Sequence, residues 1–569
     1  MCAIVGLFTP HATDPAELKA LAERMQAAHQ FRGPDGDGIW CNEHVAIGSV
    51  RLAIHGDRKL GIQPLTDRWG GRLVFNGEVM EPETVLRSLG ETPHPDESDG
   101  VALEAILALR GPMGLDGLRG MFAAARYDSS DGSLTLARDR WGQKPLYLTR
   151  WREGWAFAST VAALSVLSRP LRLRSAAPLE YLIYKSVGGL HSFFDGIEQV
   201  APASWMQFTP DGTFRSGRYS VMPEGCSSVA TPEQVRNELD AAVLVRAADG
   251  FENALLLSGG ADSSIVATSL VRQRPDLKLR AFSISYDATG YEDESDYARR
   301  LAKALGIPHE IVRLSADQVP QLSEEVAKFS EDLIEDPVTL PTLLLTRQVG
   351  KYTKVALSGD GSDEFWGGYA RFDNPPRTLS EYLPRSMAFR PDELGLTTPP
   401  ATYLDEILMP SEELAPLDRI LRLEASNRLR NYHLARLDKL GMAGAVEIRN
   451  PFVDAHVTRL ALSLPAETKR PGGRPKGLLL DAFTNDLPDW LFHRRKQPFT
   501  VPITAWLTGA LRPYARDTLG AGNAWVRTFV NPEPYLERLD QQPDLETATR
   551  IWSLLQLEAW HRVWRSRLA

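Results

Sequence analysis

Cys2 stands directly behind the initiator methionine, at the head of the apolar run MCAIVGLF. If Met1 is removed, a thiol and a free α-amino group share one carbon. An α-amino group titrates near pH ~8. It can take the thiol proton and leave a nucleophile that needs no histidine partner. On the octamer alone, a buried first strand with Cys2 as a small apolar filler is the simpler reading. A second stretch with chemistry is LLLSGGADSS (255–264). Leucines deliver Ser258, Gly259 and Gly260 into a turn whose N–H groups can face an anion, and the next helix adds its positive dipole end. Asp262 is placed to hold Mg²⁺ against a bound phosphate, and Ser258 and Ser263 can donate hydroxyls. The GxxxxGK[ST] pattern is absent, which excludes a P-loop NTPase. A third stretch, VALSGDGSDEFWGGY (355–369), crowds Asp360, Asp363 and Glu364 into five positions. Such like charges call for a cation or solvent between them. Packed beside the first loop, this one would supply the second Mg²⁺ ligand, Asp363.

The elements that must position these residues fall into two textures. Up to about residue 200 the chain reads as short β runs (IVGLF, VAIGSVRLAI, RLVFNGE, FAAARY, SLTLARD, LYLTR, GWAFAS, SWMQFT) divided by Gly, Asp and Asn turns. Helical patterns interrupt them at DPAELKALAERMQAAHQ, with Asp14 as the N-cap, and at DGVALEAILAL. These predict a layered α+β domain. YSVMPEGCSSVATPEQ (219–234) reads as a linker. Beyond it, strand and helix alternate from NALLL to KVALSGDG, which predicts a parallel sheet with helices on both faces. After about residue 370 the chain reads mainly helical. Trp552, Trp560 and Trp564 stand at roughly helical spacing on what reads as a C-terminal packing helix.

The whole composition is that of a foldable protein: 43% hydrophobic and 24% charged over 569 residues. With 64 basic against 73 acidic residues, no broad nucleic-acid surface is expected. Three cysteines, Cys2, Cys41 and Cys226, form neither a disulfide framework nor a metal spacing, which points to a reducing compartment. There is no apolar run long enough to span a bilayer. A cytoplasmic protein without nucleic-acid or membrane partners is the expectation.

The ordered landmarks resemble the glutamine-dependent asparagine synthetases. The N-terminal half is similar to class II glutamine amidotransferases through MCAIVG, RGPD (32–35), RLAIHG (51–56), QPL (63–65), FNGE (75–78), SD (98–99), GMFAAARYD (120–128) and ARDRWGQKPLY (137–147). The C-terminal half carries SGGADSS, similar to the loop of ATP-pyrophosphatases, with SGDGSDEFWGGY, EIRNPFVD (447–454), LP…K (464–469), PKGLLLDAF (475–483) and RRKQPF (494–499). The resemblance implies an N-terminal-nucleophile α/β/β/α domain over 2–215, a linker over 216–234, and an ATP-pyrophosphatase synthetase domain over 235–569 with a mainly helical C-terminal part. It implies Cys2 as glutaminase nucleophile, with Asn76 and Gly77 as oxyanion donors. Arg51, Leu52, Ile54, Glu78 and Asp99 would complete the glutamine site, Arg51 on the α-carboxylate and the two acids on the α-amino group. For ATP it implies Leu256, Ser258, Gly259, Gly260, Asp262, Ser263, Ile284, Ser358 and Gly359. Asp262 and Asp363 would hold Mg²⁺, and Lys476 would meet the developing phosphate charge. Asp360 would serve the intermediate or deprotonate the nucleophile. The implied substrates are glutamine, ATP and a carboxylic acid, with ammonia passing through an interdomain tunnel. VEIRNPFVD lies either along that tunnel or in a buried salt-bridged turn.

The chain departs from the family pattern at several points. Ala3 replaces a glycine, Gly100 and Val101 follow Asp99, VMEPE (79–83) follows the Asn-Gly-Glu, and Pro498 replaces a glycine. In SEDLIEDPVTLPT (330–342) only Asp336-Pro337 remains of the expected acidic pattern. That region borders the acceptor pocket. Aspartate therefore leads as acceptor, with amidation of another carboxylic acid beside it. Intact Cys2, Arg51, Asn76 and Asp99 weigh against a lactam-forming relative with a vestigial first domain. Asp262, Asp363 and Lys476 weigh against a non-catalytic sensor. Oligomeric state is left open, a homodimer included.

Overall fold

The run CAIVGLF forms strand Cys2–Phe8, buried along its whole length. The computed structural model describes residues 2–54, 61–66, 68–94, 97–167, 170–223, 225–226, 228–288, 295–334, 336–400, 413–493, 501–541 and 543–569. Met1, His55 and Gly56 of RLAIHG, and RRKQPF with Pro498 lie outside the described residues. Cys2–Phe8 is a central strand of a six-stranded antiparallel sheet. The spatial order is Ile197–Gln199, Tyr147–Trp151, Gly154–Ala158, Cys2–Phe8, Val45–Arg51, Gly36–Cys41. A second antiparallel sheet of six runs Phe214–Arg218, Ser204–Phe208, Leu134–Arg138, Gly120–Asp128, Gly71–Val79, Leu65–Thr66.

Strand alternation builds the layers. Ile4 and Phe8 face the space between the sheets with Val74, Ala123 and Leu136. Val5 and Leu7 face the other way, onto Leu18, Ala22 and Met25 of helix Pro15–Ala27. That helix starts where expected, with the Asp14 carboxylate accepting from the Ala16 N–H at 2.9 Å. Leu73 and Phe75 pack outward against Leu103 and Ile106 of helix Gly100–Leu109. The α/β/β/α arrangement expected from the sequence is what forms. Strand Phe214–Arg218 runs past residue 215 into the segment read as linker.

The third sheet is parallel throughout, ordered His309–Leu314, Leu279–Tyr286, Asn253–Leu256, Val355–Leu357, Glu447–Arg449. Strand order reverses between Asn253–Leu256 and Val355–Leu357. In doubly wound sheets the ligand crevice opens beyond the C-terminal strand ends at such a reversal. Both glycine-rich loops leave from these two strands. The mainly helical reading past residue 370 needs one correction: Glu447–Arg449 is the fifth strand. Its two charged residues are fully buried and bonded to each other, Arg449 Nε to Glu447 Oε1 at 2.6 Å, which hides an apolar pattern. The C-terminal helix Leu545–Trp564 is a packing helix as expected, with Trp552, Trp560 and Trp564 buried. Trp560 Nε1 donates to the Glu331 carbonyl at 3.0 Å and Trp564 Nε1 to that of Ala327 at 2.8 Å. Among the described residues no helix is long and apolar enough to cross a membrane.

Buried charge joins the N-terminal layers to the parallel sheet. On helix Ala435–Ala443, Asp438 accepts from Arg32 at 2.8 Å and Lys144 at 3.4 Å, while Lys439 reaches Glu331 at 3.3 Å. Arg246 Nη1 and Arg119 Nε lie 2.7 and 3.2 Å from Asp454 Oδ2. Burial would raise the Asp454 pKa, but the two guanidinium groups outweigh it and hold the carboxyl at about 2. The unfolded group titrates near ~3.9. Its stabilisation is therefore complete above about pH 5 and lost as pH falls toward 2. Asp454→Asn should cost about 3–5 kcal/mol by leaving buried guanidinium unpaired. The measurement is the drop in Tm at pH 7, which should shrink as pH approaches 2.

Candidate active sites

Register places Cys2 opposite Arg51, at the open end of the first sheet. Cys2 N–H donates to Asn76 Oδ1 at 3.2 Å. This leaves Asn76 Nδ2 buried with no hydrogen-bond partner, a donor aimed at something the protein does not supply. Gly77 sits at φ +143°, where a Cβ would lie 1.9 Å from the Met121 carbonyl oxygen, so only glycine fits. Gln63 Nε2 stands 3.8 Å from the Cys2 sulfur and its Oε1 accepts from the Phe75 N–H at 2.6 Å. Burial pushes the Cys2 thiol up; the Leu52 backbone N–H and Arg51 pull it back, and Asp99 raises it further. Asp99 Oδ2 accepts from the Val79 N–H at 2.8 Å. Glu78 is held by the fully buried guanidinium of Arg449, which ties this site to the parallel sheet. Leu52 and Ile54 pack in a cluster with Phe452 and Val453. VEIRNPFVD is thus buried and salt-bridged, and it touches the Cys2 site.

The second site is a cavity of about 500 Å³ at the strand reversal. It is lined by Leu256, Ser258, Asp262, Ser263, Ile284, Ser358, Gly359, Asp360 and Asp363 from the sequence-derived set. Gly259 and Gly260 complete the first loop. Gly259 is at φ +73°, where a Cβ would press on Ala298 N at 2.7 Å. The Gly260 N–H donates to Ser258 Oγ at 3.3 Å. The two loops meet at Gly359, whose missing Cβ would lie 2.7 Å from Ser263 N. Lys476 Nζ bridges them, 2.6 Å from both Asp262 oxygens and 2.7 Å from Asp363 Oδ1. Burial would lower the lysine pKa, but the two carboxylates push it above its usual value. Asp360 Oδ1 accepts from Arg436 Nη2 at 3.0 Å, and Arg436 Nη1 donates to Asp336 Oδ2 at 2.6 Å. Burial, then Asp363, pushes the Glu364 carboxyl up to about 7. It takes the Tyr369 hydroxyl and lies 3.3 Å from His433 Nε2.

Each catalytic, glutamine-binding, ATP-binding and metal-binding candidate from the sequence falls in one of these two places. Sequence reasoning missed the roles of Gln63, Arg436 and Arg449. Gln63 was visible as part of QPL; the other two show only through contacts made across the fold. The Gly100 departure has a packing cause: a Cβ there would lie 2.3 Å from the Phe75 ring. Ala3 is fully buried in its strand. Asp336, which with Pro337 is what remains of the expected acidic pattern, accepts from the Val338 N–H at 3.0 Å just before the next helix and lines the cavity.

The architecture is that of an N-terminal-nucleophile amidotransferase joined to an ATP-pyrophosphatase sheet. The asparagine synthase family matches residues 234–562 and the glutamine amidotransferase domain residues 1–220. The chain is 27% identical to glutamine-hydrolyzing asparagine synthetase 1 of Bacillus subtilis (strain 168), over 99% of this chain and 97% of that protein. It is 26% identical to glutamine-hydrolyzing asparagine synthetase B of Escherichia coli (strain K12), over 88% and 82%. Against amidase chry2 of Gibberella zeae it is 28% identical over 65% and 60%. The chain belongs to the asparagine synthase family.

Proposed function

We propose that this chain is a glutamine-hydrolysing, ATP-dependent amide synthetase of the carbon–nitrogen ligase class, giving AMP and pyrophosphate. The pairing that carries this reading is the orphaned Asn76 amide beside an N-terminal thiol, in one chain with a lysine-bridged pair of aspartates at a strand reversal. With Met1 removed, the Cys2 α-amino group takes the thiol proton; a thiol raised by burial needs such a base. Sγ attacks the glutamine γ-carbonyl carbon. Asn76 Nδ2 and the Gly77 N–H meet the oxyanion. The C–N bond breaks, ammonia leaves with the transferred proton, and water cleaves the thioester to glutamate. Arg51 holds the α-carboxylate, Glu78 and Asp99 face the ammonium, and Leu52 and Ile54 wall the site.

In the cleft, Leu256 and Ile284 wall the adenine. Ser258, Gly259, Gly260, Ser263, Ser358 and Gly359 contact the rest of ATP. The acceptor carboxylate attacks the α-phosphorus and the bond to pyrophosphate breaks. Lys476 neutralises charge that grows in that step. Ammonia, kept from water by an internal route past VEIRNPFVD, attacks the acyl-adenylate carbonyl and AMP leaves. Asp360 steadies the intermediate or takes the proton. Among the described residues no three metal-ligating side chains cluster. Mg²⁺ needs only one or two carboxylates besides phosphate oxygens and water. Asp262 and Asp363, converging on one point, fit that need and would hold it; bound there it supplies charge neutralisation on the phosphates.

Aspartate is the acceptor that the names of the Bacillus and Escherichia relatives suggest. A second reading, another carboxylic acid, is favoured by Asp336, locked to Arg436, as the sole survivor of the acidic pattern. The test is pyrophosphate release with glutamine and ATP over a panel of carboxylic acids. Release dependent on one acid supports the reading, and no release with any acid overturns it. Asn76→Ala should lower glutamine turnover about 10²–10³-fold while sparing ammonia-dependent release; an unchanged glutaminase kcat would remove Asn76 from the oxyanion site.

A further inference from the structure

One wall of the cleft is the stretch Glu424–Leu434, 11 residues wound as a π-helix. Wide turns of this kind are rare, mostly single-turn, and concentrate at functional sites. This one brings Arg428, Tyr432 and His433 to the cavity surface.

Charge on the cleft wall is unevenly matched. Each carboxylate already has a partner on the protein. Asp336 and Asp360 share Arg436, Asp262 and Asp363 share Lys476, and Glu364 takes the Tyr369 hydroxyl. Among the cations, Arg371 grips Glu424 through Nη2 at 2.8 Å and Nε at 3.2 Å. Arg428 differs. Among the described residues it donates no hydrogen bond, and its Nε is buried without a partner. Among the described residues its one carboxylate within ion-pair distance, Glu424 at 4.0 Å, is already taken by Arg371 and by the Tyr382 hydroxyl at 2.6 Å. Its guanidinium lies over the Tyr432 ring, 4.4 Å from the centroid, and its side chain keeps 24% exposure. A guanidinium held over a ring can still present its planar donor edge to a carboxylate or phosphate. On the same rim, helix Leu545–Trp564 lines the cavity with Leu545 and Thr549.

We propose that the acceptor is a carboxylic acid bearing a second anionic group and no ammonium group, with Arg428 holding the second anion. The proposal rests on the reading that this cleft adenylates a carboxylate. An α-amino acid would bring an ammonium to a wall where four of the five carboxylates named here sit in ion pairs and the fifth, Glu364, already accepts from the Tyr369 hydroxyl, so its charge would displace an ion pair or compete with that hydroxyl. A second anion meets a guanidinium that donates no hydrogen bond among the described residues and shares its distant carboxylate with Arg371.

The experiment measures pyrophosphate release by the full chain with ATP and ammonium. The acids are succinate, glutarate, adipate, 3-phosphoglycerate, aspartate and butyrate. One dicarboxylate, or the phospho-acid, should exceed both aspartate and butyrate by roughly tenfold in kcat/KM, and the two arms separate a carboxylate from a phosphate as the second anion. Arg428→Gln should raise KM for that acid about 10–100-fold, the range of a hydrogen bond to a charged group, with KM for ATP unmoved. Arg428→Lys should recover part of it. Aspartate as the best acid, or a KM indifferent to Arg428→Gln, overturns the proposal and leaves adenylation standing. No release with any of the six acids removes the adenylation reading and this proposal with it.

Discussion

Cys2→Ala should abolish glutamine-supported pyrophosphate-coupled amide formation and keep the ammonium-supported reaction. Deleting the nucleophile of an acyl-transfer enzyme can cost about 10⁶ in kcat. No other thiol can substitute. Cys41 Sγ sits against the Pro15 carbonyl at 3.5 Å, and Cys226 Sγ against that of Leu462 at 3.4 Å, both away from the Cys2 pocket. Alanine removes one atom from a buried strand end and leaves the backbone pairing with Arg51 in place. The ammonium arm makes the result decisive, since a misfolded variant would lose both activities. Glutamine turnover surviving in Cys2→Ala would end the nucleophile assignment. Mass spectrometry of the active protein supplies the companion measurement, because retained Met1 leaves the thiol without its adjacent amine.

The second large effect belongs to Lys476→Met. Its ammonium is 4% exposed as a residue, bridges the carboxylates of both loops, and is carried at φ +54°, a conformation that side chains other than glycine seldom adopt. Strain of that kind persists where the surroundings hold it. A Cβ on Gly368 would lie 2.0 Å from Lys476 Cε, so the lysine occupies a channel with no spare width. Removing the charge should lower pyrophosphate release by about 10²–10³ in kcat with either nitrogen source, while glutamine hydrolysis alone continues. Lys476→Arg should not restore it, because the guanidinium fork is wider than the channel. An unchanged kcat for Lys476→Met would show that the bridge is structural only.

Much of this architecture is legible in a single sequence because its signals are local. CAIVGLF is apolar without interruption, as a strand covered on both faces must be. SGGADSS and SGDGSDE each put glycines between an apolar run and a helix start, so strand, loop and helix follow from neighbouring residues. What escapes is what depends on distant partners. Glu447–Arg449 reads poorly as a strand because its charges are neutralised by each other and by Glu78, 371 positions from Arg449. Arg32 and Asp438, 406 positions apart, give no sign of their pairing. The segment Glu424–Leu434 has the composition of an ordinary helix, and its wider winding appears only in the folded chain, so Arg428 had no sequence signal. Gly100 looked like a departure from a pattern; the Phe75 ring accounts for it.

Helix Ala435–Ala443 presses Arg436 toward the nucleotide cleft and, two positions later, Asp438 against Arg32 and Lys144 of the glutaminase layers. A graft that exchanged the front half for that of a cousin would therefore have to carry matching cations at both of these places. Otherwise a stranded carboxylate would sit two residues from Arg436, which faces the cavity. Chimeras of this chain should be cut with the helix treated as belonging to both halves.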